Sequence, residues 1–471
     1  MKTLKINCLI LLSFLIYNGN AQQSANSHVN LIIKHYNDND LDSLYFLLAS
    51  NFQKEFPKEI HHEFYKNSIK AAYGKLNSIE RKSSNKDGDA YIANFENGKL
   101  ILLLRVSENG IESVQWLPPD QAETPKRNIE EIKSDNKKAD VLDVKIDSIV
   151  LDYLREANTS GMSIAVLHRG KIRYYNYGET DKKTKRLPAL TTIYEIGSIT
   201  KTFTGIMLAN AVLEGKIKLE DDIRKYIGND YSNLSYKNEP IRIKHLCTHT
   251  SLLPSVPMDV ENQVGFKATD PYKNYTSEML FAYLKTIKLD TIPGSKYEYS
   301  NVGFALLANI LEKVYKLPLE SLFEKYITKP NRMNNTSLIA KGSEEMAIGY
   351  TADTGLEAEY WNWKSIAGAG GIKSNIQDMA KYVETNLKSD NKAASLSHKK
   401  IYNQGQHAQG MAWVISPGKD TAQFIWHNGR TAGFSSVCGF IKELGFGVVV
   451  LSNSGMSCDR VGFGIIKHLM K

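Results

Sequence analysis

At 471 residues with a formal net charge of +8, the chain exceeds what one ordinary core absorbs, which predicts two domains. Hydrophobic residues make up 42% and charged residues 23%, globular values that exclude wholesale disorder. The positive charge is scattered over Lys66, Lys70, Lys75, Lys137, Lys138, Lys182, Lys183 and Lys185 and forms no periodic face, so it marks a solvated surface and argues against a nucleic-acid partner.

Lys2 and Lys5 precede an apolar run from Cys8 to Tyr17, and Asn18-Gly19-Asn20-Ala21 follows. That order predicts a cleavable signal peptide over residues 1–21. The run is too short to span a bilayer, and no later stretch approaches ~20 apolar residues, so no transmembrane segment is expected. Cys8 stands at the start of the run, where a lipid-bearing cysteine would follow its end. The expected location is therefore periplasmic or secreted. Cys247, Cys438 and Cys458 remain; their spacing suggests no disulfide framework and no zinc site, and they read as buried small apolar residues.

Residues 24–117 read as a small α+β unit. Val29, Leu31, Ile32, Ile33 and Tyr36 mark one amphipathic helix, and Leu41, Leu44, Tyr45, Leu47 and Leu48 mark a second. Phe64, Ile69, Ala72 and Tyr73 mark a third that stops at Gly74. The period then changes to two: Tyr91–Phe95, Leu100–Val106 and Ile111–Trp116 read as strands, with Asn97-Gly98 and Asn109-Gly110 as hairpin turns. Helices followed by an antiparallel meander resemble the cone-shaped nuclear transport factor two-like folds, which occur as accessory domains on exported bacterial hydrolases. The unit carries no catalytic cluster, and a partner-binding role for it stays open.

Pro118-Pro119 opens a polar linker over residues 118–140. Residues 141–471 read as one unit of helix and sheet. It begins with a helix (Ile146, Ile149, Leu151, Leu154) and a hairpin, Met162–His168 and Ile172–Tyr177 around Arg169-Gly170. It ends with strands Ser436–Ile441 and Gly447–Ser452 and a helix near Gly462–Met470. Terminal helices packed on one antiparallel sheet would bring the first and last strands together.

Three segments carry chemistry. In the first, Gly197-Ser198-Ile199-Thr200-Lys201, the apolar Phe203, Ile206, Met207 and Leu208 begin a helix. Ser198 then sits at the positive helix end, and Lys201, three residues on, can approach its oxygen and take its proton if burial lowers the lysine pKa. A capping serine beside a solvent lysine is the plain alternative. The second segment, Tyr299-Ser300-Asn301, precedes a helix rich in Phe304, Leu306, Leu307 and Ile310. A phenol can relay the serine's proton, and an amide can hold Lys201 and a substrate carbonyl; a turn tyrosine with an N-capping asparagine is the alternative. The third, His427-Asn428-Gly429-Arg430, stands at a strand edge, where Gly429 admits close approach and the next N–H can point at an oxyanion.

In this order the three segments resemble the serine β-lactamase and penicillin-binding protein superfamily. Leu246-Cys247-Thr248-His249-Thr250-Ser251 with Leu253-Pro254 resembles its His-Thr-Ser-Gly-Leu-Pro segment, and Gly368–Ser374 its glycine-rich loop. Gly161–Val166 resembles its first strand and Val448–Gly455 its last. The resemblance covers about residues 141 to 471. It implies an α+β fold: an antiparallel sheet flanked by helices, with an all-α lobe between the Ser-x-x-Lys and Tyr-x-Asn motifs. It implies that Ser198 is acylated, that Lys201 and Tyr299 handle its proton, and that Asn301, His427, Gly429 and Arg430 bind substrate. The backbone N–H groups of Ser198 and Arg430 would form the oxyanion hole, and neither cofactor nor metal is needed.

Two residues depart from the pattern. His427 stands where β-lactamases of the similar class C carry lysine, as in the carboxypeptidases, D-aminopeptidases and esterases of the superfamily. A neutral histidine holds a carboxylate weakly, so Arg430 is expected to supply the charge. Leu252 replaces a glycine in a structural loop. His249 reads as a structural hydrogen-bonder, and Trp361 and Trp363 as cleft or packing residues. The reading is a serine hydrolase of D-amino-acid peptides, β-lactams or small esters; the alternative is a protein that binds or acylates without turnover.

Overall fold

The computed structural model describes residues 21–85, 88–117, 126–340, 346–388, 390–418 and 420–470. Up to residue 20 the expected signal peptide lies outside the described residues, as does the first part of the expected linker, residues 118–125. No helix among the described residues is long and apolar enough to cross a membrane. The chain divides into two compact units, one up to Pro125 and one from Lys126.

In the first unit, helix Ala21–Asn37 buries Val29, Ile32 and Tyr36, and helix Leu41–Phe46 buries Leu44 and Tyr45. The third expected helical stretch ends at Gly74, whose φ of 72° only glycine adopts easily. Strands Leu76–Asn85, Gly88–Phe95, Gly98–Ser107 and Gly110–Leu117 form an antiparallel meander in chain order. Leu100, Leu102, Leu104 and Val106 join the helices in one core. Strand Leu76–Asn85 has no apolar alternation because it is a largely polar edge strand, paired on one side.

The second unit is built on an eight-stranded antiparallel sheet. Its spatial order is Tyr402–Gln404, His407–Gln409, Val414–Pro417, Gln423–Arg430, Ser435–Ile441, Phe446–Ser452, Met162–His168 and Lys171–Tyr177. The last strand in sequence thus pairs with the first of this unit, Val450 opposite Ile164. Met162–His168 reads as a continuous apolar run because both its faces are covered. Ile164 and Val166 pack with the terminal helices Val141–Leu154 and Asp459–Leu469, whereas Ala165 and Leu167 face the helical lobe. That lobe holds helices Thr200–Leu213, Ile243–Cys247, Ser277–Leu284 and Asn301–Tyr315. It is not wholly helical, since Ser235–Tyr236 and Glu239–Pro240 form a small ladder.

From Lys126 on, the expected linker is bound to the second unit. Arg127 donates to the carbonyls of Thr159 and Ser160 and pairs with Glu179 at 2.7 Å. Asn136 donates to the Tyr177 hydroxyl at 2.6 Å, and Ile132 is buried. Polar composition marks a linker only when its hydrogen bonds go to water, and here they go to protein. Cys247, Cys438 and Cys458 are free and buried, and burial pushes the Cys247 thiol up to about 12.

Candidate active site

Ser198 sits in a single 3-10 turn, Gly197–Ile199, that runs into helix Thr200–Leu213. Thr200 to Ala209 are all buried, so this helix passes through the core and its positive end meets the serine. Lys201 is fully buried. Its Nζ lies 3.0 Å from Ser198 Oγ, 2.7 Å from Asn301 Oδ1 and 2.7 Å from the Ala369 carbonyl oxygen. The last two atoms only accept, so they take two N–H bonds and leave the third position facing the serine. Burial holds the Lys201 pKa well below the usual lysine value. The neutral amine so favoured can take the proton of Ser198.

The Tyr299 hydroxyl donates to Ser198 Oγ at 2.6 Å. Although 36% of this residue is open to solvent, its crowded surroundings push the phenol pKa above the ordinary tyrosine value, burial being the main cause. Such a phenol is at most about 0.1% ionised at pH 7, so Tyr299 can donate but not act as the base. The helix Asn301–Tyr315 is capped by Ser300, whose Oγ accepts the Gly303 N–H at 2.8 Å. Asn301 is therefore free of the capping role and turns its amide oxygen to Lys201.

Strand Gln423–Arg430 forms the far wall. A Cβ on Gly429 would lie 2.0 Å from the Ile196 carbonyl oxygen and 2.8 Å from Ser198 N. Gly197, with φ 49°, makes the reciprocal approach: its Cβ would lie 2.7 Å from Arg430 N. Two glycines thus bring the backbone nitrogens of Ser198 and Arg430 to one edge, where an oxyanion can be held. His427 is buried with Nδ1 2.6 Å from the Asn428 carbonyl oxygen. A carbonyl only accepts, so Nδ1 carries the proton and Nε2 is an acceptor. Burial is the main cause that pushes the His427 pKa down to about 3.

Asn428 and Arg430 alternate onto the strand face opposite Gly429. Asn428 donates to Asp459 of the terminal helix at 2.7 Å, and the Arg430 charge acts on the same carboxyl. The structure thus gathers Ser198, Lys201, Tyr299, Asn301, His427 and Gly429. Of Arg430 only the backbone joins them, contrary to the expectation that its guanidinium replaces the missing lysine charge.

The Ala369 carbonyl is the one direct Lys201 partner that no side-chain pattern reveals. The loop resemblance at Gly368–Ser374 was its only signal, and its glycines explain it. Cβ atoms on Gly368 and Gly370 would each come within 2.3 Å of Ala308 and Trp363 respectively, so the loop backbone fits only without them. Trp363 stacks on Tyr272 with centroids 5.1 Å apart, a packing role, while Trp361 beside it stays partly exposed. Leu252, in the place of a glycine, adopts the left-handed conformation at φ 63°.

The sequence profile of the beta-lactamase family matches residues 146–461. The chain is 30% identical over 329 residues to Protein flp of Staphylococcus aureus (strain MRSA252), covering 66% of this chain and 62% of that protein, less than two thirds of its length. It is 29% identical over 314 residues to the D-alanyl-D-alanine-carboxypeptidase/endopeptidase AmpH of Escherichia coli (strain K12), covering 63% of this chain and 80% of the relative. The octameric penicillin-binding protein homologue from Pyrococcus abyssi superposes with a TM-score of 0.62 at 26% identity, covering 69% of this chain and 77% of that one. A class C beta-lactamase with a TM-score of 0.61 at 23% identity, covering 69% and 96%, shares the fold. With its profile match spanning the serine, tyrosine and histidine segments alike, the chain belongs to the beta-lactamase family.

Proposed function

We propose that the protein is an exported serine hydrolase that works through an acyl-enzyme on Ser198. The single observation behind this reading is the pair of contacts at the Ser198 oxygen: Tyr299 donates to it at 2.6 Å, and the Lys201 amine stands 3.0 Å away, placed to take its proton. Neutral Lys201 removes the serine proton as Oγ attacks a carbonyl carbon, and the Ser198 and Arg430 N–H groups hold the oxyanion. Tyr299 passes a proton to the leaving group and is reprotonated from the Lys201 ammonium, which returns Lys201 to its neutral form. Water, giving its proton to Lys201, then hydrolyses the acyl ester, and the proton goes back to Ser198 Oγ. Export is supported by the leader-like pattern from Lys2 to Ala21.

For substrates, we favour D-amino-acid peptides and small esters, with β-lactams as acylating analogues. His427 is neutral and the Arg430 side chain lies on the opposite strand face, so neither grips a substrate carboxylate strongly. Steady-state assays should compare a p-nitrophenyl ester with a D-Ala-D-Ala peptide in free and C-terminally amidated forms. The expected result is turnover lost by at least ~10³-fold in Ser198→Ala, with KM for the two peptide forms within about tenfold. Turnover that survives Ser198→Ala would overturn the nucleophile, and strict dependence on the free carboxylate would overturn the substrate preference.

A further inference from the structure

His249 belongs to none of the three motif segments, yet it grips the middle one from two sides. Its Nδ1 accepts the Ser300 N–H at 3.0 Å, and its carbonyl accepts the Glu298 N–H at 2.7 Å, so both neighbours of Tyr299 are tied to it. Its ring stacks on Tyr299 with centroids 4.4 Å apart and planes at 27°, and lies 5.0 Å from the Phe304 ring. The same two rings flank Lys201, whose Nζ is 4.7 Å from the Tyr299 centroid and 5.7 Å from that of Phe304. His249 is itself fully enclosed, at 1% exposure, and holds a left-handed φ of 59°. Such a conformation persists only where the surroundings over-determine it.

We infer that His249 is a positioning residue: it sets the Tyr299 hydroxyl over Ser198 Oγ and seals Lys201 from water. This rests on Ser198 being the nucleophile proposed above. Accepting the Ser300 N–H requires a bare Nδ1, so the neutral ring carries its proton on Nε2, which is buried without a partner. A protonated ring would lose the Ser300 bond and bury a charge with no counter-ion, so only the neutral form fits. Stacking and hydrogen bond act on the same loop from different directions. Each removes a freedom of Tyr299 that the other leaves, and a misplacement of about 1 Å is worth ~10²-fold in rate.

Two variants of the full chain separate these contributions. His249→Asn tolerates the left-handed backbone and keeps an acceptor, but loses the ring. His249→Phe keeps the ring and loses the acceptor. Both should lower kcat for a p-nitrophenyl ester ten- to hundredfold with KM within about threefold. His249→Asn should also move the acid limb of the pH–rate profile upward by about one unit, as water reaching Lys201 raises its pKa. Lowered melting temperature with wild-type kcat and an unmoved acid limb in both variants would reduce His249 to a structural residue and overturn the inference. If the phenylalanine variant does not fold, the asparagine variant decides by the same readouts. Ser198→Ala, run in parallel, isolates the other claim: activity retained there overturns the nucleophile whatever the His249 variants do.

Discussion

Lys201 Nζ and Asn301 Oδ1 lie 2.7 Å apart and join two helix starts separated by 100 residues of chain. Asn301 offers an uncharged acceptor, so the contact orients the amine without stabilising its ammonium form as an anion would. Asn301→Asp should therefore raise the Lys201 pKa, shift the acid limb of kcat/KM to higher pH, and lower the rate at pH 7 by about 10–100-fold. A pH–rate profile checks this; an unmoved acid limb would mean that Lys201 is not the base.

Lys201 also links stability to pH. Its pKa is depressed in the fold, so between that value and the unfolded one the unfolded chain binds more protons and stability rises with pH. Lys201→Met removes this dependence. The stability of the native protein relative to Lys201→Met should thus climb from pH 7 towards about 10, by at most about 1.4 kcal/mol per pH unit. Denaturant titrations at several pH values measure it, and parallel curves would contradict a buried neutral lysine.

Gly429 has no room for a methyl group, since its Cβ would stand 2.0 Å from the Ile196 carbonyl oxygen. Gly429→Ala should push the strand off the serine turn and spoil the oxyanion edge. The expected loss is ~10²–10³-fold in kcat, with a destabilisation of about 1–3 kcal/mol. Activity assays and melting curves report the two effects separately.

In the first unit, His61 is fully buried with neither ring nitrogen hydrogen-bonded, and it is ringed by Tyr45, Phe56 and Tyr65. Burial pushes its pKa down to about 3. The unfolded chain takes up the proton near pH 6.5, so stability is full above that value and is lost as pH falls towards about 3. His61→Phe should make residues 21–117 more resistant to acid, by a few kcal/mol at most. Hydrogen exchange of this unit between pH 7 and 4 would show it as slower opening in the variant; equal opening in both proteins at pH 4 would refute it.

The sequence made the site legible wherever side chains carry the chemistry. Ser198, Lys201, Tyr299 and Asn301 stand at helix starts whose apolar runs are plain, and the structure brings them within hydrogen-bonding reach. Ala369 acts through its carbonyl, and a main-chain atom leaves no mark on residue type. Arg430 shows its charge in sequence, but the strand face that carries its side chain follows only from the register of Gln423–Arg430. His249 reads in sequence as a structural hydrogen-bonder, and its stacking on Tyr299 depends on a tertiary contact across 50 residues. In the fold, the covered strand Met162–His168 was evident from its apolar run, while Leu76–Asn85 and the attachment of Arg127 and Asn136 depend on partners distant in sequence.

The most direct test is to label the full chain with a fluorophosphonate, which reports an activated serine without requiring the true substrate, and to map the modified peptide by mass spectrometry. The account predicts one adduct, on Ser198, that forms faster as pH rises through the Lys201 titration and is absent in Ser198→Ala. Labelling at another residue, or a native protein that stays unlabelled, would contradict it.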